Sequence, residues 1–394
     1  MNRLFRIEEK TEKIIIGILS GTSLDGADVV LTKVTGNGEN TTITVLDFYT
    51  NPYPLDLKEF ILKCSSNSLS NVEDICRLNF ILGYFFADSI KILLRNNRLN
   101  AKDIDLIGSH GQTVYHIPKF ENLFSYITKS TLQLGDPSVI ANLTGINTIG
   151  DFRVADVAVG GDGAPLVPFM DYIMFSNKGI SRVLINIGGI SNITYLKKNG
   201  KFEDVIAFDT GPGNMIIDGL MRKFYSKDYD QDAEIANSGN INKELFDFIC
   251  SIDEFLKIPP PKSTGRERYN NDFVNLILSY SENLIPSDII RTVSEYTAFS
   301  IFKGVSDFIN DKKIKEILIS GGGALNPCIM NSLSNYFKGV DVKKLEYQGI
   351  STENKESVLF AILANETVLG NKANLRSVTN AKKNVILGKI CLAG

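Results

Sequence analysis

Short apolar runs that end in glycine-rich polar turns predict a series of buried strands. The run Ile14–Leu19 is apolar and β-branched, and the turn GTSLDG separates it from a second run, Ala27–Val34. Apolar runs of this length between turn residues are typical of buried strands. The six turn-prone residues between the runs favour an antiparallel hairpin over a crossover. A third strand is predicted at Thr41–Phe48.

Helical spacing follows this predicted hairpin and strand. Apolar residues recur near helical spacing along Val72–Leu94, which predicts a helix. A short strand is then predicted at Ile104–Gly108, ending in the sequence SHGQT. Hairpin, strand, helix and strand together predict a mixed α/β layer.

A similar order of elements recurs later without an alignable sequence repeat. Arg182–Ile187 is a predicted strand, GGISN a glycine turn, and Ile193–Leu196 the partner strand. Val205–Phe208 leads into DTGPGN and a predicted helix at Met215–Tyr225, and a further strand is predicted at Ile314–Ser320. Two halves of this form predict an α/β protein with two related domains that face each other across a cleft.

Length, composition and charge narrow the class of protein. At 394 residues the chain exceeds the roughly 250–300 residues at which single cores stop growing, which favours two domains. A hydrophobic content of 43% is typical of soluble proteins, and a net charge of -3 does not suggest a basic nucleic-acid surface. No signal peptide and no apolar run of about 18 residues is recognised, so a cytoplasmic protein is expected. Five cysteines without a CxxC pair favour a reducing compartment and offer no metal framework.

The hexapeptide GTSLDG has the composition of a loop that contacts phosphate. Glycines let the backbone approach a ligand, and successive N–H groups bind anions. Thr22 and Ser23 add hydroxyl donors, while Asp25 and Asp28 could hold Mg²⁺ through water. The lysine of a P-loop is missing, and a strand follows where a dinucleotide fingerprint requires a helix. An ordinary hairpin turn stays open as the alternative for this motif alone.

Two further glycine loops favour the phosphate-binding interpretation. DTGPGN follows a predicted strand and opens a helix, and SGGGALNP follows another predicted strand. Three such loops resemble the ATP site of the actin, hexokinase and Hsp70 superfamily, in which two hairpins grip the phosphates and a third loop packs against the adenosine. We therefore expect nucleotide contacts from Gly21, Thr22, Ser23, Leu24, Asp25, Gly26, Ala27, Asp28, Asp209, Thr210, Gly211, Gly213, Asn214, Gly321, Gly322 and Gly323.

The stretch INTIGDFRVADVAVGGDGAPLVPFMD carries a second set of polar residues. Asp151 and Asp156 flank Arg153, and glycines surround Asp162. One interpretation is an Asp–Arg ion pair that fixes a loop. The other is a base held by its neighbours, because an aspartate with a reference pKa of about 3.9 is ionised at neutral pH and can accept a proton from water.

Nine motifs in family order resemble the anhydro-N-acetylmuramic acid kinases. They are SGTSLDGADVVL, SHGQTVYHIP, TLQLGDPSVIA, INTIGDFRVADVAVGGDGAPLVP, INIGGISNITYL, FDTGPGNMIID, KSTGRE, SGGGALNP and KESVLFAILANE. The resemblance implies two actin-like, ribonuclease-H-like domains with mixed sheets flanked by helices. It also implies a homodimeric kinase that uses ATP and Mg²⁺. Such a kinase would open the 1,6-anhydro ring of its substrate with water and phosphorylate O6, giving N-acetylmuramic acid 6-phosphate, an intermediate of cell-wall recycling.

The same resemblance implies roles for individual residues. Gly21–Asp28 would be the ATP phosphate loop and Asp156 the base that activates water. Glu356, at the start of a predicted apolar helix, becomes a substrate-side carboxylate candidate, with a solvated first-turn acid as the alternative. Many family members carry glutamine in place of Asp162, so this chain has an added charge beside the expected sugar site. The residues expected on the substrate side are His110, Gln112, Arg153, Asp162 and Glu356.

The sequence also predicts where the two domains divide and leaves alternative functions open. Domain I is expected at 1–150 plus 371–394 and domain II, with Asp156, at 151–370. A kinase for another anhydrosugar, such as levoglucosan, is the nearest rival, because only the sugar pocket would differ. A non-catalytic actin-like nucleotide-binding protein is a rival of another class, and Asp156 argues against it. A Rossmann oxidoreductase is disfavoured by the strand after GTSLDG.

Overall fold

A computed structural model describes residues 7, 9–21 and 24–394 of the chain. The strands, in chain order, are β1 Glu12–Ser20, β2 Gly26–Thr35, β3 Thr42–Pro52, β4 Leu106–Leu123, β5 Tyr126–Leu134, β6 Thr148–Gly150, β7 Ser181–Ile187, β8 Ile190–Leu196, β9 Ile206–Pro212, β10 Ile314–Ser320, β11 Asp341–Lys344 and β12 Lys389–Cys391. The α-helices are α1 Leu55–Cys64, α2 Val72–Asn96, α3 Pro137–Thr144, α4 Val154–Ala158, α5 Val167–Phe175, α6 Met215–Tyr225, α7 Glu234–Ser238, α8 Lys243–Ile252, α9 Asn271–Tyr280, α10 Pro286–Phe308, α11 Pro327–Tyr336, α12 Lys355–Val368 and α13 Arg376–Thr379.

The chain forms two compact units. The first comprises residues up to 174 together with 346–394, and its sheet has the order β12-β6-β4-β1-β2-β3, with β5 paired to β4. β2 is antiparallel to both β1 and β3, whereas β4 is parallel to β1 and to β6. Three antiparallel strands are thus continued by two parallel ones.

The second unit, 175–345, repeats this order. Its sheet runs β11-β10-β7-β8-β9, with β8 antiparallel to β7 and β9, and β10 parallel to β7 and β11. The predicted α/β class, with two ribonuclease-H-like mixed sheets flanked by helices, is confirmed by this shared topology.

Two predicted strand ends are wrong. β4 does not end before SHGQT but continues to Leu123, because its second half pairs antiparallel with β5 and Gly111 at φ +75° accommodates the irregularity inside the strand. β9 likewise runs through DTGP to Pro212, since those residues pair with β8. SHGQT therefore lies wholly within β4, whereas DTGPGN begins within β9 and ends beyond it.

The compact units divide the chain at other positions than the expected bounds of 150 and 371. Helix α12 belongs to the first unit because its backbone lies directly on β1 and β4. A methyl group on Gly17 would stand 2.0 Å from the carbonyl oxygen of Ser357, and one on Gly108 would stand 2.0 Å from that of Phe360. Only glycine fits at these two strand positions. Because the helix backbone packs this closely on β1, the start of α12 lies near the end of that strand.

Each unit has its own buried apolar core. The central strands β1 and β7 are nearly continuous apolar runs, as is typical of strands whose two faces are both covered. Within the described ranges, no helix combines the length and the apolar character needed to cross a membrane.

Candidate active site

The β1–β2 turn holds the first predicted phosphate loop. Two of its predicted residues, Thr22 and Ser23, lie outside the described residues. Leu24 is buried at φ +58°, and its N–H donates to the carbonyl oxygen of Gly21 at 3.3 Å. A Cβ on Gly26 would stand 2.1 Å from the carbonyl oxygen of Asn51, so this position requires glycine. Ala27, the next residue of β2, is buried.

Asp28 follows the turn on β2, and its carboxylate is oriented by the neighbouring strand. The hydroxyl of Thr50 donates to Oδ1 of Asp28 at 2.6 Å. Burial raises the pKa of Asp28, the Thr50 hydrogen bond opposes this rise, and the exposed carboxylate of Asp25 adds to it. Asp28 is thus a partly desolvated carboxylate with a second negative charge nearby.

Gln112 is part of a buried chain of hydrogen bonds at the end of β1. The hydroxyl of Tyr53 donates to Oγ of Ser20 at 2.7 Å, and the hydroxyl of Ser20 donates to Oε1 of Gln112. The amide of Gln112 also donates to the carbonyl oxygen of Thr113 at 3.1 Å. Because its side chain is enclosed and hydrogen-bonded at both ends, Gln112 ties β1, β3 and β4 together; its predicted contact with substrate stays a prediction.

His110 and Arg153 form a second connection, between β4 and the segment before α4. Nδ1 of His110 donates to the carbonyl oxygen of Gly111 at 2.9 Å, so its Nε2 accepts from Nε of Arg153, also at 2.9 Å. Burial, with the charge of Arg153, lowers the pKa of His110 well below its usual value. The imidazole is therefore neutral and acts as an acceptor toward the guanidinium.

Arg153 does not pair with either flanking aspartate. Its second hydrogen bond goes to the carbonyl oxygen of Gly163 at 2.7 Å, whereas Asp151 pairs with Lys389 at 2.7 Å. Burial lowers the pKa of Arg153 to about 10, and the nearby charges of Glu356 and Asp156 oppose this effect. The simple Asp–Arg ion pair is therefore wrong, although Arg153 lies within electrostatic reach of Glu356 and of one flanking aspartate, Asp156.

Asp156, on α4, is fully buried and accepts three hydrogen bonds. The N–H of Gly163 donates to Oδ2 at 2.8 Å, while Asn374 and Thr379 donate to Oδ1 at 2.7 and 2.8 Å. A Cβ on Gly161 would stand 2.1 Å from Oδ2, so only glycine can cover this oxygen. Sequence reasoning missed Asn374 and Thr379, because they lie 218 and 223 residues further along the chain.

The charge of Asp162 is matched by a lysine that sequence reasoning also missed. Lys129, on β5, donates to Oδ1 of Asp162 and, at 3.2 Å, to the carbonyl oxygen of Gly160. Asn380 donates to Oδ2 at 2.7 Å. Both carboxylate oxygens are thus engaged by protein, and the predicted substrate contact of Asp162 stays a prediction.

Glu356 lies in the first turn of α12, where its side chain reaches solvent. In the described part of the chain, its carboxylate has no hydrogen-bond or ion-pair partner. Protein atoms around it reduce its solvation and raise its pKa above the usual 4.5, Lys355 and Arg153 oppose this rise, and Asp28 adds to it. Glu356 belongs to the same compact unit as Asp156 and the residues on either side of the β1–β2 turn. The sequence predicted two separate domains for these residues.

The second unit holds the other two predicted loops. In DTGPGN, the N–H of Thr264 donates to Oδ2 of Asp209 at 2.8 Å, and burial raises the pKa of Asp209 to about 6. Thr210 is buried, and its hydroxyl lies 2.7 Å from that of Ser191. Gly211 has φ +145°, and a Cβ on Gly213 would stand 2.2 Å from the carbonyl oxygen of Gly188. This strand end therefore needs its two glycines.

The SGGGALNP loop meets DTGPGN at one cavity of the second unit. Gly321 has φ +84°, and a Cβ on Gly323 would stand 2.3 Å from Cγ2 of Ile187. Gly322 and Asn214 both line a cavity of about 450 Å³. Asp218 lines it too, and burial raises the pKa of this residue to about 6. Two predicted loops far apart in sequence thus form one pocket.

Comparison with known proteins identifies the family of the chain. The family model for anhydro-N-acetylmuramic acid kinase matches residues 13–393. The chain belongs to this family. Proteins named anhydro-N-acetylmuramic acid kinase from Caldanaerobacter subterraneus subsp. tengcongensis and Clostridioides difficile are 44% and 41% identical to it. The first alignment covers 100% of both chains, and the second covers 95% of this chain and 97% of the relative. A relative from Francisella tularensis subsp. novicida is 42% identical over 96% of this chain and 98% of its own.

Proposed function

We propose that the protein is an ATP-dependent kinase that opens the 1,6-anhydro ring of 1,6-anhydro-N-acetylmuramic acid with water and phosphorylates O6. The observation that carries this proposal is the family match over residues 13–393. It is supported by glycine loops at strand ends of two sheets with the same topology. The products would be N-acetylmuramic acid 6-phosphate and ADP.

The second unit would bind the nucleoside of ATP. The cavity that Asn214 and Gly322 line is of a size suited to a nucleoside, and the glycines leave backbone free to approach it. Gly21–Asp28 and Asp209–Asn214 would contact the phosphates. Asp28 is a partly desolvated carboxylate, whose oxygens suit Mg²⁺, a hard cation that would neutralise charge on the phosphates.

The proposed reaction balances with one base. Water attacks C1 through an oxocarbenium-like state, and the C1–O6 bond breaks. O6 takes the γ-phosphoryl group as ADP leaves, so no separate acid is needed on the leaving oxygen. The proton of the water passes to a carboxylate.

Asp156 is the proposed base. Three donors hold its carboxylate in place, and of the roughly four acceptor positions of a carboxylate one is left on Oδ2. Gly161 covers this oxygen. The proposal therefore includes a movement of the Gly160–Gly163 turn when the sugar binds, which its three glycines allow.

Glu356 is the proposed acceptor that orients the attacking water. Its carboxylate reaches solvent and is committed to no other group in the described residues. Its ionised form accepts at both oxygens and binds the hydrogens of a water molecule or a sugar hydroxyl more strongly than the neutral acid does. Arg153, held by neutral His110, would stabilise negative charge between Glu356 and Asp156.

The decisive experiment supplies the protein with ATP, Mg²⁺ and one of three sugars. ADP release should be fast with 1,6-anhydro-N-acetylmuramic acid and slow with levoglucosan or glucose. In ¹⁸O-water, the label should enter the C1 hydroxyl and not the phosphate. Faster turnover of levoglucosan would favour the rival anhydrosugar kinase, and label in phosphate alone would indicate a simple ATPase.

We also propose that the protein acts in the cytoplasm, where ATP is available, and as the homodimer that the family resemblance implies. Cell fractionation tests the location. Native mass measurement at micromolar concentration tests the oligomeric state, and a monomer would contradict the proposed dimer.

A further inference from the structure

A buried ion pair lies immediately beside Glu356. Nζ of Lys355 is 2.7 Å from Oδ1 of Asp171, and the two side chains are only 5% and 2% exposed. Lys355 is the first residue of α12, and Asp171 belongs to α5. The pair therefore joins two helices at the residue that precedes the accessible carboxylate.

Lys355 is not placed to bind a ligand. A lysine next to a carboxylate at a kinase site is ordinarily interpreted as a phosphate ligand, but this ammonium is enclosed and paired with Asp171. Separating a buried pair would leave an uncompensated charge, which is strongly destabilising. The ammonium therefore stays on its helix partner, within electrostatic reach of Glu356 but not in a direct ion pair with it.

The backbone before α12 is fixed as well. Oδ1 of Asn354 accepts from the N–H of Ser351 at 3.0 Å, and its amide donates to the carbonyl oxygen of Gly349 at 2.9 Å. One turn later the helix lies on β1 at Gly17. The ion pair adds a buried side-chain contact to these backbone contacts, at the residue next to Glu356.

We propose that the Asp171–Lys355 ion pair positions Glu356 for catalysis and sets the electrostatic field at its carboxylate. This inference rests on the proposed function, in which ionised Glu356 orients the attacking water. The charged groups that face Glu356 are Lys355 and Arg153, which favour its ionised form, and Asp28, which disfavours it. Lys355 is the group whose charge can be changed without touching the β1–β2 turn or Arg153.

Two variants change this field in opposite directions. Lys355→Met with Asp171→Leu removes both charges and keeps apolar volume, a replacement that often leaves stability unchanged or raised. Without the ammonium the pKa of Glu356 rises, so the acid limb of kcat moves to higher pH and kcat at the optimum falls about tenfold. Asp171→Asn alone frees the ammonium to approach Glu356, so the acid limb moves to lower pH.

A control ion pair, with a partly exposed lysine, lies in the same unit. Lys63→Met with Asp74→Leu removes an ion pair of 2.8 Å between α1 and α2 that is not among the groups facing Glu356. Its kcat and pH profile should equal those of the unaltered protein. Calorimetry of every variant distinguishes unfolding from a change in the position of Glu356. If Asp171→Asn does not fold, the double variant alone tests the inference, through the shift of its acid limb to higher pH.

Glu356→Gln separates failure of this inference from failure of the proposed role of Glu356. If Glu356→Gln keeps the full kcat and the acid limb, the role of Glu356 is wrong. If it removes the acid limb while the pair variants leave the limb in place, the positioning role of the ion pair is wrong. Opposite shifts in the two pair variants, with an unchanged control, support the inference.

Discussion

Asp156 and Glu356 are carboxylates of one unit with opposite surroundings. Asp156 is fully enclosed and accepts three hydrogen bonds, one of them from backbone and two from the C-terminal segment. Glu356 reaches solvent, and in the described residues nothing donates to it. The contrast indicates two different roles in the proposed reaction. The protein itself fixes the carboxylate of Asp156, whereas the carboxylate of Glu356 is left to bind the attacking water.

The largest effect is expected from Asp156→Asn. The amide cannot take a proton from water, so kcat should fall on the order of 10³-fold. Nucleotide binding, measured by calorimetric titration with ADP and Mg²⁺, should be unchanged, because the proposed nucleoside cavity lies in the other unit. Turnover near that of the unaltered protein would remove Asp156 as the base.

A smaller loss is expected from Glu356→Gln. The amide keeps the shape of the side chain but can no longer accept from two directions at full charge, so kcat should fall about 10²-fold. Steady-state kinetics with saturating ATP measure this loss. A decrease as large as that of Asp156→Asn would contradict the lesser, orienting role proposed for Glu356.

The pH dependence of the unaltered protein follows from the raised pKa of Glu356. Protein atoms around Glu356 reduce the solvation of its carboxylate and raise this pKa above the usual 4.5, and the proposed role needs the ionised form. Activity should therefore be present above the raised pKa and be lost as the pH falls through it. Measurement of kcat against pH, with circular dichroism to exclude unfolding, tests the sign. An acid limb at or below the usual pKa of glutamate would contradict it.

Local patterns predicted the framework of the site but not its contacts. Met215–Tyr225 and Ile314–Ser320 form at their predicted bounds, because each is an apolar segment between clear turn or cap residues. The strand through SHGQT was missed because Gly111 resembles a turn residue in the sequence, whereas pairing with β5 keeps it in the strand. A partner distant in the chain thus overrides a local signal.

The surroundings of the two carboxylates were harder to predict for the same reason. Asn374 and Thr379 carry no spacing that connects them with Asp156, and Lys129 carries none that connects it with Asp162. Glu356 was recognised only through the family resemblance, since a first-turn acid is common on solvated helices. That no group of the described residues donates to it is a property of the folded unit alone.

Thr379→Val, which alters the surroundings of the enclosed Asp156, should have a moderate effect on stability and on kcat. It removes one donor to a buried carboxylate, so the free energy of unfolding should fall by about 1.5–3 kcal/mol and kcat by roughly tenfold. Thr367→Val is the matched control, because that buried hydroxyl donates to the backbone carbonyls of Leu363 and Leu387. It should lower stability and leave kcat unchanged; an equal loss of kcat in both variants would show that stability alone was measured.

The smallest effect is expected from Asp162→Asn. The amide oxygen still accepts from Asn380 or Lys129, while the ion pair with Lys129 is lost at a site whose carboxylate is 26% exposed. Because both oxygens of Asp162 already bind protein groups, KM for the sugar should change less than about threefold. Lys129→Met, which leaves the carboxylate with Asn380 alone, should disturb the Gly160–Gly163 turn more strongly and lower kcat rather than raise KM. A large rise in KM in Asp162→Asn, with kcat unchanged, would instead make Asp162 the sugar contact that its position in the motif suggests.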